Sequence, residues 1–127
     1  RVYAHYPWKL LLKSGTEGVA TSEYGRNLMK EMMLVYDGDQ HRYAQIAGHG
    51  FRILAEAMEK DLSYEIKCPS LLICGTKDHA GSCIRYNREW HRKTKIPLKW
   101  IEGAGHNSNT DKPEMINSLI EEFLSNI

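Results

Sequence analysis

The chain has 127 residues, of which 42% are hydrophobic and 26% charged, and its formal net charge is +1. That length holds one domain at most, with the composition of an ordinary globular protein. The near-neutral charge gives no reason to expect nucleic acid or an anionic membrane as partner, and no run of about 18 apolar residues is present to cross a bilayer.

No signal-peptide pattern opens the sequence, which starts at Arg1 in structured-looking chain. The expectation is a cytoplasmic protein with more chain upstream. Cys68, Cys74 and Cys83 are three in number and cannot all pair. Cys68 and Cys74 flank a predicted strand and would lie roughly 20 Å apart in extended chain. No zinc-like or C-x-x-C spacing occurs, so reduced thiols are expected.

Residues 1–20 mix aromatics and leucines. Pro7 holds Tyr6 extended and opens a helix over Lys9–Lys13, and Ser14-Gly15-Thr16-Glu17-Gly18 reads as a break. Ser22 suits an N-cap, with Glu23 well placed against the helix dipole and Leu28, Met29, Met32, Met33 and Tyr36 following at helical spacing. The three methionines suit core packing better than an acyl pocket. Asp37-Gly38-Asp39 ends that helix and lacks the ligand pattern of a calcium loop. The longest helix is predicted over 40–60, with a stripe of Tyr43, Ala47, Gly50, Leu54 and Ala57 widened by Ile46, Ile53 and Met58. Gly48 and Gly50 inside it point to close packing or a bend.

The character changes at Ile66-Lys67-Cys68-Pro69. Ser70–Cys74 is a short apolar run after a proline, which suits a strand covered on both faces and closed by Gly75. Ser82 can cap a helix to about Lys93, with Ile84 and Trp90 inward. Pro97–Ile101 is a second, more alternating strand. Asp111 and Glu114 resemble a capping box before a last helix striped by Ile116, Leu119, Ile120, Phe123, Leu124 and Ile127. The order strand–helix–strand implies parallel pairing through a right-handed crossover. Two parallel strands are too few for an independently stable sheet, so the native sheet is expected to continue in chain outside this sequence.

Ligands of parallel α/β sheets sit beyond the carboxyl ends of the strands, where Asp78 and His106 both fall. Adjacent parallel strands lie about 4.8 Å apart, so the two loops can meet. A carboxylate accepting the Nδ1 proton of His106 would fix the tautomer and leave Nε2 as a base. Gly103 and Gly105 would let the backbone turn tightly around Ala104. His79, beside Asp78, is a weaker rival. His49 reads as a helix-face residue, and His5, His41 and His91 lack metal-ligand spacing.

With these residues in view, the second half resembles the C-terminal part of an α/β-hydrolase. In that family the triad runs nucleophile, acid, histidine. Its acid turn, G-x-x-D, is matched by Gly75-Thr76-Lys77-Asp78, and its histidine loop, G-x-G-H, by Gly103-Ala104-Gly105-His106. Pro113-Glu114 and Phe123-Leu124 match its last helix. The resemblance implies an α/β class with an incomplete α/β-hydrolase fold: a helical cap segment over 1–67, then the last two parallel strands and their helices over 68–127. It implies Asp78 and His106 as catalytic acid and base, and no metal or cofactor. The parent protein would hydrolyse an ester-like or amide-like small molecule. The expected partners are that substrate and either the missing N-terminal half or a second copy at the open sheet edge.

The nucleophile elbow G-x-S-x-G is absent: none of the serines at 14, 22, 63, 70, 82, 108, 118 and 125 lies between glycines at that spacing. The oxyanion-hole glycine segment is missing too. The acid loop runs His79-Ala80-Gly81-Ser82 where the family often has a proline. The nucleophile, whether Ser, Asp or Cys, is expected outside this chain, which alone would be inactive. The alternative is a non-catalytic binding or interaction module built on the same fold.

Overall fold

The structure, a computed structural model, describes residues 2–60 and 66–127. Residues 1 and 61–65, which belong to the predicted cap segment, lie outside the described residues. A short helix α1, Val2–His5, precedes α2, Trp8–Glu17, which starts one residue after Pro7. The Pro7 carbonyl accepts from Leu10 and Leu11, so the proline sets the entry to the helix without needing a donor of its own.

The predicted break at 14–18 is not there: α2 runs through Ser14, Gly15 and Thr16. The Ser14 hydroxyl donates to the Leu11 carbonyl and that of Thr16 to Lys13, so the polar side chains are satisfied within the preceding turn. Gly15 leaves room for Met33, whose sulfur would stand 2.6 Å from a methyl group at that position. Met33 is 2% exposed and is the methionine that packs; Met32 faces outward.

Ser22 caps α3, Glu23–Leu34, its side chain accepting from Gly25 N. The next helix, α4, covers Gln40–Glu59 with Asp39 as its N-cap. Its predicted stripe is not a core. No α4 residue is buried, and Ile46, Phe51, Ile53, Leu54 and Met58 are 51% to 63% exposed. Its contacts lie in its first half, where Tyr43 meets the rings of Tyr3, Trp8 and Tyr36 and Phe51 meets that of Tyr3. Gly48 and Gly50 have open space where a side chain would stand, so neither marks close packing.

In the second half, β1, Leu72–Gly75, pairs in parallel with β2, Leu98–Ile101. Helix α5, Cys83–Thr94, crosses between them and packs against both. Ser82 holds the N-cap position of α5, but its side chain makes no capping hydrogen bond. A short helix α6, Ser108–Asp111, leads into α7, Pro113–Leu124, which stops before the predicted end at Ile127. Ile101, Ala104 and Ile116 form a small core, with Ile73 and Leu119 against it. Ile120, Leu124 and Ile127, predicted on the same inner stripe, stay 43% to 66% exposed.

Among the described residues, this sheet has two strands. No helix among the described residues is long and apolar enough to cross a membrane.

Candidate functional site

The register pairs Leu72 with Leu98 and Gly75 with Ile101, so the two strands end level with each other. The loops that follow are then bound together. Thr76 N donates to Ile101 O, Lys77 N to Ala104 O, and Gly103 N to the Thr76 hydroxyl. Gly75 makes this approach possible, because a methyl group there would stand 2.3 Å from the carbonyl oxygens of Ala104 and Gly105. Gly103 turns the chain at φ 75°, a conformation that favours glycine. Gly105 serves differently, giving room to the Val19 carbonyl rather than a turn.

This frame brings Asp78 and His106 together. His106 Nδ1 lies 3.0 Å from Asp78 Oδ2. An ionised carboxylate only accepts, so Nδ1 carries the proton and Nε2 has the free lone pair. Asp78 also closes its own turn, with Oδ1 accepting from Ala80 N at 2.9 Å. Its side chain is 6% exposed, whereas that of His106 is 44% exposed. The acid is thus enclosed and the imidazole faces outward.

The other histidines go elsewhere. His79 is exposed, and it is His106 that meets the carboxylate. The guanidinium of Arg52 donates to His49 Nδ1 on the exposed surface of α4. His5 and His41 stack edge to face, and His91 Nδ1 lies 2.7 Å from the Ile96 carbonyl.

Two residues beside the pair were not marked as site residues by sequence reasoning. Cys83, the first residue of α5, packs against Asp78; burial pushes its thiol pKa up, and the charge and hydrogen bond of Asp78 push it further. The available signal was its spacing, five residues after the acid and at the start of a helix that must return over the sheet. Asp111 was read as a cap for α7, but Lys112 occupies that place. The Asp111 carboxylate instead accepts from the backbone N–H groups of Thr21, Ser22 and Gly105 and from the hydroxyls of Thr21 and Ser22, at 2.7–3.0 Å. Burial pushes its pKa up, but these hydrogen bonds outweigh it and hold the group at about 2. Nothing in its local sequence distinguishes that role from a cap.

Around Asp111 the histidine loop is fastened to the α2–α3 junction at further points. Asn107 N donates to Val19 O at 2.7 Å, and the Thr21 hydroxyl reaches Gly103 O at 2.9 Å. Two surface grooves lie away from the pair. One of about 580 Å³ runs past His5, His41, His49 and Arg52, and one of about 500 Å³ lies along α5. Neither is lined by Asp78 or His106, so neither serves the pair.

Over 75 residues the chain is 31% identical to epoxide hydrolase 1 of Caenorhabditis elegans. The match covers 59% of this chain and 19% of that protein, so the chain spans under a fifth of the curated relative it matches. No protein-family model matches the chain, and no solved structure matches it.

Proposed function

We propose that this chain contributes the acid and the base of a hydrolase of the α/β-hydrolase type, acting with a nucleophile carried on chain outside these residues. The observation behind this reading is the 3.0 Å contact of His106 Nδ1 with the enclosed carboxylate of Asp78, above level ends of neighbouring parallel strands. The resemblance to a protein called epoxide hydrolase supports it independently. An enclosed carboxylate beneath an exposed imidazole has the arrangement needed to hold the ring and stabilise its protonated form.

The reaction follows in two steps. The nucleophile attacks an electrophilic carbon and gives a covalent intermediate. With a Ser or Cys on an ester or amide, His106 Nε2 takes its proton and passes it to the departing alcohol or amine. With an Asp on an epoxide, the ring C–O bond breaks and the alkoxide takes a proton from solvent. His106 Nε2 then takes a proton from water as that water attacks the intermediate, and returns it to the oxygen or sulfur released when the covalent bond breaks. Asp78 stays ionised throughout. The helical segment would shape an apolar substrate site and exclude water.

The test uses the longest natural polypeptide containing this chain, assayed on an aryl ester and an aryl epoxide. Asp78→Asn and His106→Gln should each lower kcat on the order of 10³-fold or more with little change in KM. Full activity in either variant would overturn the proposal. The alternative, a non-catalytic module, draws on the absence of a nucleophile elbow from the sequence. It predicts no turnover of either substrate by the wild-type protein and no labelling by a fluorophosphonate.

A further inference from the structure

The same strand tips hold a second kind of chemistry. Asp78, Cys83 and His106 each present one ligand atom, and the three atoms lie within 4.8 Å of one another. They are a hard oxygen, a soft sulfur and a borderline imidazole nitrogen. Two come from one loop and the helix start that follows it, and the third from the facing loop.

We infer that Asp78, Cys83 and His106 form a binding site for Zn²⁺, and that metal and base function exclude each other there. Ligands of tetrahedral zinc stand roughly 3.3–3.7 Å apart at ordinary Zn–N, Zn–O and Zn–S lengths. The widest spread, up to 4.8 Å, therefore has to close by about 1–1.5 Å. The thiolate and the carboxylate together carry two negative charges and balance the ion, while the imidazole stays neutral. Binding releases the Cys83 proton to solvent. His106 is 44% exposed, so the fourth position faces water, as in zinc sites with three protein ligands. Carboxylate alone would suit calcium or magnesium; adding sulfur and nitrogen selects zinc.

Exclusion follows from the lone pairs of one ring. A metal on Nδ1 displaces the proton shared with Asp78, and a metal on Nε2 occupies the basic site. Either way the imidazole no longer accepts a proton. Only this inhibitory consequence rests on the proposed triad role; the binding itself does not.

Cobalt(II), added to the full chain as a spectroscopic substitute for zinc, tests the binding. One equivalent should produce a thiolate-to-cobalt charge-transfer band and the intense visible bands of tetrahedral cobalt. Zinc should bleach both by displacement. Cys83→Ala and Cys83→Ser should lose the charge-transfer band and bind zinc at least about tenfold more weakly, with unchanged far-ultraviolet circular dichroism. Cys68→Ala should retain the band. Persistence of the band in both Cys83 variants, its loss in Cys68→Ala, or only octahedral cobalt in the wild type would overturn the inference. The optical readout involves no turnover, so a failure of the hydrolase reading leaves it intact.

Discussion

The Asp111 carboxylate accepts from three backbone N–H groups on two separate loops, and each of those donors would lack that partner without it. Because its pKa is held at about 2, below the ordinary carboxylate value of 3.8, the folded state favours the ionised form. Stability from this group is therefore complete above about pH 4 and is lost as pH falls through about 2. Asp111→Asn keeps the shape but offers one acceptor oxygen, and should cost on the order of 2 kcal/mol at pH 7 by urea denaturation. In the variant the fall in stability between about pH 4 and pH 2 should be much shallower. An unchanged acid slope would mean that the carboxylate is not ionised in these contacts.

At the scale of elements, Ser22 and Ser82 look alike in sequence, each a serine one residue ahead of a helix. The structure separates them: Ser22 accepts from Gly25 N and also meets Asp111, whereas Ser82 makes no capping bond. Ser22→Ala should cost about 1–2 kcal/mol and Ser82→Ala under about 0.5 kcal/mol in chemical denaturation. Equal losses would contradict the assignment. This pair also shows what could be read in advance. The strands, the crossover and the Asp78–His106 placement follow from apolar runs and glycine turns, which are local signals. The glycine inside α2 answers to Met33 of another helix, and the role of Asp111 depends on partners some ninety residues away. Helical periodicity in α4 correctly predicts a helix and an apolar face. It cannot say whether anything lies against that face.

For the molecule as a whole, the apolar face of α4 and the two-stranded sheet leave much hydrophobic surface in water. Met58 is 63% exposed, Phe51 59% and Trp100 37%. Sheets of two strands rarely stand alone, and an unpaired strand edge invites another strand. The 127-residue chain, prepared by itself, should elute in size-exclusion chromatography well above its 14.6 kDa mass and bind a hydrophobic dye. A monodisperse monomer that binds no dye would show that these surfaces need no cover.

The fastening of the histidine loop to residues 19–22 restricts how the helices can move. Helix α3 begins inside that fastening, so its first turn cannot swing away without dragging the imidazole off its carboxylate. A pivot that spares the pair has to lie beyond Leu34, in the Val35–Asp39 connection, where Gly38 already sits at φ 80° with open space around it. Movement of α4 about that pivot would carry α1 along through Tyr3 and would break the ring contact of Tyr43 with Trp8, while α2 and α3 stay fastened to the base.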